Sequence, residues 1–325
     1  MAFMEIFNLS DQIEFNRVAL KTFHSQAENN KVYKSFLNLL GIEIGAINSI
    51  KNIPFLPVEF FKTHDIVCSN DPIEQTFLSS GTSGMTQSRH LVNDLSVYEE
   101  SFSKGFEHFY GPIENFTILA LLPGYLERKG SSLIYMVDRM IQKSKSEHSG
   151  FYLYNLGELE KKLDLLDNHV ENILLIGVSY ALIDLVERRK FRLKNTIVME
   201  TGGMKGKRKE MVRQELHQLL SEGFGVEKIH SEYGMTELLS QAYSKGDGIF
   251  ETPPWMKVYS RDTEDPFHLL PVGKTGGINI IDLANVNSCS FIATQDLGRR
   301  LDEQRFEILG RFDHSDIRGC NLMVV

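Results

Sequence analysis

Residues 173–203 read ILLIGVSYALIDLVERRKFRLKNTIVMETGG. Ile173, Leu174, Leu175 and Ile176 form a short unbroken apolar run, the pattern of a strand covered on both faces. Residues 178–187 carry helical spacing, 196–199 form a second β-branched run, and Gly202 and Gly203 punctuate its end. Two buried strands joined by a helix imply a parallel sheet with helices on its faces. The rhythm extends outward. Residues 116–122 (FTILALL) predict another buried strand and 131–141 a helix. Asp94 is placed to cap a helix whose buried face carries Tyr98, Phe102 and Phe106. A charged helix is expected over about 207–221.

The flanks differ in character. Residues 11–45 read as helical, with Val32, Phe36, Leu39 and Leu40 as the apolar stripe. After residue 230, short strands are expected at 257–260, 277–283, 288–294 and 306–309. The expected organisation is α/β. One large domain over 1–310 comprises a helical part to about 75, an α/β body over 76–230 and a strand-rich lobe over 231–310. A short tail, 311–325, follows.

Composition narrows the function. With 325 residues and 42% hydrophobic content, the chain can bury a sizeable core, and a net charge of −8 argues against a nucleic-acid binder. No apolar run approaches the ~18–20 residues of a membrane span. The N-terminus shows no basic region followed by an apolar one, so no secretory signal is read. Cys68, Cys289 and Cys320 lack metal-ligand spacing. A reduced, cytoplasmic protein is expected.

In sheets of this kind, ligands sit beyond the carboxyl ends of the strands. Two glycine-rich turns, 79–84 and 202–203, are expected there. In the first, Gly81 and Gly84 allow backbone N–H groups to converge on an anion, and Ser79, Ser80, Thr82 and Ser83 supply hydroxyls. Arg89 adds charge at the exit. No Gly-Lys-Ser/Thr follows, so this is not a Walker A loop. A phosphate cradle and a surface linker both fit the loop taken alone.

Spaced motifs then fall into one order: SSGTSG (79–84), ETGG (200–203), YGMTE (233–237), TQDLGR (294–299) and GRFD (310–313). Together they resemble the acyl-adenylating superfamily of acyl-CoA ligases, luciferases and adenylation domains. PFLPVEFFKTHD (54–65), TGGMKGKRKE (201–210), SEYGMTELLSQ (231–241) and SCSFIATQD (288–296) are more closely similar to the acyl-protein synthetase, or LuxE-type, family. That resemblance covers nearly the whole chain.

The resemblance implies attack of a carboxylate, most simply a fatty acid's, on the α-phosphate of ATP, with Mg²⁺ bridging the phosphates. It implies that residues 79–84 hold the leaving phosphates, with Arg89 near the position of the superfamily's lysine. Gly202, Gly203 and Met204 would lie against adenine, and Tyr233, followed by Gly234, would stack on it. Thr236 would bond the α-phosphate and Glu237 would ligate Mg²⁺. Asp296 would bind the ribose, Gln295 replacing the motif's usual glycine, and Arg311 would reach the same ribose. Lys205 is a candidate for phosphate or carboxylate, its alternative being a solvated helix start. Apolar residues such as Leu121 and Val178 are candidates for the acyl pocket.

One departure concerns the C-terminus, where the superfamily's lid domain and its lysine have no counterpart in the 14 residues after Arg311. The family resemblance makes Cys320 the candidate acyl acceptor, forming a thioester that passes to a partner protein. The alternative for Cys320 is a small residue in a terminal strand. Two other functions compete: a ligase using coenzyme A directly, and a non-catalytic nucleotide-binding subunit.

Overall fold

The computed structural model describes residues 3–79, 86–122, 130–152, 155–169, 172–202 and 211–312. The expected N-terminal helix is two helices, α1 (Gln12–Asn29) and α2 (Lys31–Leu39). Asn30 separates them. Its N–H closes α1 on Gln26 O, while its side-chain oxygen accepts from Val32 N and Tyr33 N to start α2. The buried residues of α2 are Tyr33 and Leu37, so the expected stripe is corrected at its end. Leu39, two residues beyond Leu37 and therefore on the opposite side of the helix, is 86% exposed.

A short strand β1 (Leu56–Pro57) and a one-turn helix α3 (Phe60–Thr63) lead to β2 (Gln75–Leu78) and β3 (Arg89–Val92). These two pair antiparallel as a hairpin outside the main sheet. The expectation that the 79–84 segment follows a strand of the parallel sheet is therefore corrected at its start: Ser79 follows β2, which pairs only with β3, and residues 80–84 lie outside the described residues. The base of the β2–β3 connection is clamped, because Ser79 N donates to Ser88 O (3.1 Å) and Ser88 N donates to Ser79 Oγ (2.9 Å).

Helix α4 (Leu95–Tyr110) starts where Asp94 accepts from Ser96 N at 3.0 Å, and Tyr98, Phe102 and Phe106 are all buried. Then come β4 (Thr117–Leu121), α5 (Ser132–Lys143), β5 (Gly150–Phe151), α6 (Leu156–Asp167) and β6 (Ile173–Val178). After these follow α7 (Ser179–Arg188), β7 (Thr196–Thr201), α8 (Arg213–Phe224) and β8 (His230–Tyr233). Strands β5, β4, β6, β7 and β8 lie side by side and parallel. Every residue of β4 and β6 is buried, Leu121 and Val178 included.

The strand-rich part continues the same sheet. It comprises β9 (Ala242–Ser244), β10 (Ile249–Glu251), β11 (Met256–Arg261), β12 (Thr275–Asp282), β13 (Phe291–Arg300) and β14 (Arg305–Arg311). From β8 the order runs β9, β10, β14, β13, β12, β11, each pair antiparallel, and β1 adds a parallel pairing to β13. Twelve strands among the described residues thus form one sheet, parallel at one side and antiparallel at the other. No helix among the described residues is long and apolar enough to cross a membrane.

Candidate active site

The end of β8 meets β13 and β14. Asp296 and Arg311 are register partners across the β13–β14 pair, so pairing alone brings them together. Arg311 Nε lies 3.3 Å from Asp296 Oδ1, and Tyr233 Oη donates to Asp296 Oδ2 at 2.6 Å. A register shift at Leu297 and Gly298 follows at once, a bulge of the kind that re-aims side chains beside sites. Asp296 is only 7% exposed. Burial pushes its carboxyl up, and the Tyr233 hydrogen bond with the charges of Arg311 and Arg261 offsets part of that rise. The Tyr233 ring packs edge-on against Phe250 (5.7 Å) and Phe306 (5.5 Å). Burial first, then Asp296, raises its hydroxyl well above the ordinary tyrosine value.

Arg261 is the site residue that motif reading missed. Its guanidinium donates to Ile278 O (2.7 Å), Asn279 Oδ1 (2.8 Å) and Thr294 O (2.6 Å), two residues before Asp296. It also lies 5.7 Å from the Phe312 ring. The available signal was Gly276 and Gly277 inside a strand, which marks a close approach. A Cβ on Gly277 would come within 2.6 Å of Arg261 Cζ.

The turn after β8 carries exposed Gly234, then Thr236 and Glu237. Glu237 is 5% exposed, and burial pushes its carboxyl up against the opposing pull of Ser88, its own backbone N–H, Arg311 and Lys62. Asn285 Nδ2 holds Glu237 O at 2.8 Å. Buried Asp282 fixes the next residues, accepting from Leu239 N (2.8 Å), Ser240 N (3.0 Å) and Ser240 Oγ (2.5 Å). These bonds fix the backbone on both sides of the Glu237 carbonyl. The β2–β3 hairpin is tied to this turn, since Ser88 bonds Glu237 and His90 Nδ1 bonds Thr236 O at 2.8 Å. The structure thus brings together Ser79, Tyr233, Thr236, Glu237, Asp296 and Arg311, as parts of two directly connected walls.

With Tyr233, Asp296 and Arg311 joined at one end of the sheet and buried Glu237 tied to Ser88, the family comparison can be read. The model of the family described as acyl-protein synthetase, LuxE, matches residues 5–325. The chain belongs to this acyl-protein synthetase family. Comparison with curated proteins gives no match. Among solved structures, ATP-bound MatB from Rhodopseudomonas palustris aligns with a TM-score of 0.56 at 18% identity, over 75% of this chain and 49% of MatB. An open conformation of 2-hydroxyisobutyryl-CoA ligase, in complex with 2-HIB-AMP and CoA, aligns with a TM-score of 0.66 at 12% identity, over 93% and 71% of the two chains. The same ligase in a postadenylation state with R3-HIB-AMP gives 0.68 at 11% identity, over 93% and 68%. At these identities the likeness is one of fold, and the chain spans about half the length of MatB.

In this family member, further expected residues are placed as follows. Arg89 pairs with Asp65 at 2.9 Å, both well exposed, an ion pair that solvent screens and that a phosphate could displace. Gly202 has φ +63°, a left-handed conformation suited to glycine, and its carbonyl accepts from Ser179 Oγ at 3.0 Å. Beneath it lies buried Glu200, which accepts from Arg213 Nη1 (2.9 Å) and Ser179 Oγ (3.2 Å), with His217 Nε2 at 3.5 Å. Burial raises the Glu200 carboxyl, but His217, Arg213 and Ser231 together hold it below its ordinary value. Ser80, Gly81, Thr82, Ser83, Gly84, Gly203, Met204, Lys205 and Cys320 lie outside the described residues.

Among the described residues no three His, Cys, Asp or Glu side chains cluster as a metal cage. A single carboxylate such as Glu237 nevertheless suits Mg²⁺, which takes one or two carboxylates and fills its octahedron with phosphate oxygens and water. The two described thiols are poor nucleophiles where they stand. Burial pushes Cys68 up to about 12 and Cys289 higher still.

Proposed function

We propose that this protein is an ATP-dependent acyl-activating enzyme. A carboxylic acid, most simply a fatty acid, attacks the α-phosphate of ATP, pyrophosphate leaves, and the acyl-adenylate passes its acyl group to a thiol. The observation that carries this reading is the Tyr233–Asp296–Arg311 group standing beside Glu237, itself bonded to Ser88, in a member of the acyl-protein synthetase family.

The chemistry follows from positions. Asp296 accepts hydrogen bonds from vicinal ribose hydroxyls, with Arg311 and Tyr233 fixing its carboxylate. Gly202 offers flat backbone to adenine. Thr236 and the hairpin hydroxyls orient the phosphates, and Mg²⁺ on Glu237 neutralises their charge when bound. Cys320 is the proposed acyl acceptor, forming a thioester by expelling AMP, with a protein partner as donor or acceptor of the acyl group.

The test is ATP–pyrophosphate exchange with a panel of carboxylic acids, followed by incubation with labelled fatty acid, ATP and Mg²⁺. Exchange with an acid, and a hydroxylamine-sensitive label that Cys320→Ser removes, is the expected result. Label that persists in Cys320→Ser rejects the acyl-cysteine. Acyl-CoA formed with equal rate in that variant moves the acceptor to coenzyme A. No exchange with any acid rejects the activation step itself.

A further inference from the structure

His90 stands on β3, two residues past Ser88, and is completely buried. Its Nδ1 lies 2.8 Å from Thr236 O, and a carbonyl only accepts, so Nδ1 carries the proton. The other ring nitrogen, Nε2, is then a bare acceptor, and it is buried without a hydrogen-bond partner. The edge of the ring meets Phe61, with centroids 5.6 Å apart and planes at 87°. Burial pushes the imidazole down to about 4, so it is neutral at ordinary pH. A leucine would remove the unpartnered Nε2 but would also leave Thr236 O without this donor, so what the histidine secures is the bond through Nδ1.

That bond has a specific address. In an extended chain, residues two apart face the same way, so Ser88 and His90 both project from the hairpin toward the turn after β8. Ser88 bonds the Glu237 carboxylate and His90 bonds the Thr236 carbonyl. Adjacent residues of one turn are thus gripped by alternate residues of one strand. We propose that His90 is a positioning residue whose Nδ1–H locks the β2–β3 hairpin to the turn that carries Thr236 and Glu237. The two walls that would hold the triphosphate then move as one body. This inference rests on the nucleotide reading above and adds a residue to it.

Three substitutions in the full chain separate this role from simple packing. Asparagine places an N–H near the position of Nδ1, glutamine places one near Nε2, and leucine places none. In ATP–pyrophosphate exchange, His90→Asn is expected to keep kcat/KM for ATP within about threefold, while His90→Gln and His90→Leu lose about tenfold or more. The KM for the acid is expected to stay constant across the series. Wild-type kinetics in a folded His90→Leu protein, or equal loss in His90→Asn and His90→Gln, overturns the proposal. If His90→Leu does not fold, the Asn–Gln contrast decides. Nitrogen-15 NMR of histidine-labelled wild-type protein reads the tautomer without any activity. An Nε2-protonated His90 overturns the inference, whereas absent exchange alongside an Nδ1-protonated ring rejects the nucleotide reading and leaves the bond standing.

Discussion

Tyr233 Oη donates to Asp296 Oδ2 at 2.6 Å although their strands, β8 and β13, are four positions apart in the sheet. At about 4.8 Å per strand, a flat sheet would hold those backbones roughly 19 Å apart. The sheet must therefore bend sharply through the short strands β9 and β10. Phe250 and Phe306 stack on each other at 5.5 Å and meet the Tyr233 ring edge-on, which fills the inside of the bend. The site sits where the parallel and antiparallel parts of the sheet face each other, and the aromatic cluster sets the distance between its walls.

Asp296→Asn separates function from stability. The folded protein raises the Asp296 carboxyl, chiefly by burial. A raised carboxyl contributes stability that is present below its unfolded pKa and lost as pH rises through the folded one. At neutral pH the neutral amide is thus expected to leave the melting temperature unchanged or higher. ATP affinity should nonetheless fall about tenfold to a hundredfold, the scale of hydrogen bonds to a charged group. Calorimetric ATP binding and a thermal melt on the same variant check both halves.

Glu237→Gln is expected to abolish the response of exchange to Mg²⁺, because a neutral amide replaces the carboxylate proposed to hold the metal. Since burial also raises Glu237, the acid limb of the wild-type pH profile of kcat/KM should lie above the ordinary carboxylate value of 4.5. Rates measured from pH 5 to 8 at several Mg²⁺ concentrations test this. A wild-type Mg²⁺ response in the glutamine variant would place the metal elsewhere.

Glu200 works in the opposite sense. Its folded carboxyl is held below 4.5 by His217, Arg213 and Ser231 despite burial. Stability from this group is present above its unfolded pKa and lost as pH falls through the folded value. Glu200→Gln should therefore flatten the decline in stability below about pH 4.5 while lowering stability at neutral pH by about 3 kcal/mol, because Arg213 loses its buried partner. Urea denaturation at pH 7 and pH 4 measures the difference.

The parallel half was legible because continuous apolar runs such as Ile173 to Ile176 admit few other readings, and every residue of β6 is buried. Short elements escaped. Strand β5 has two residues, and the buried face of α6 (Leu159, Leu163, Leu166) is blurred by Leu165, which points to solvent. The hairpin was misplaced because a strand followed by glycines looks alike before a helix and before an antiparallel return. The motif residues Tyr233, Asp296 and Arg311, picked out by spacing, meet in the structure, whereas Arg261 and His90 belong to no motif. Each acts on backbone carbonyls, and a carbonyl leaves no mark in the side-chain sequence.

Gly277 gives the sharpest steric test of the wall around Arg261 and Asp296. A methyl there would sit 2.6 Å from Arg261 Cζ and 2.8 Å from its Nε. The long arginine could swing away, but its fork is bonded to Ile278 O, Asn279 Oδ1 and Thr294 O, so swinging breaks those three charged hydrogen bonds. Gly277→Ala is therefore expected to cost about 2–4 kcal/mol, combining overpacking with lost charged hydrogen bonds. Gly310→Ala, where a Cβ meets nothing within 4 Å, is the matched control on the neighbouring β14 and should cost far less. Because Thr294 Oγ1 accepts from Asp296 N at 3.1 Å, displacing Arg261 from Thr294 O should also weaken ATP binding in Gly277→Ala. Urea denaturation and ATP titration of both variants test the pair, and equal stabilities would mean that the Arg261 fork contributes nothing to the fold.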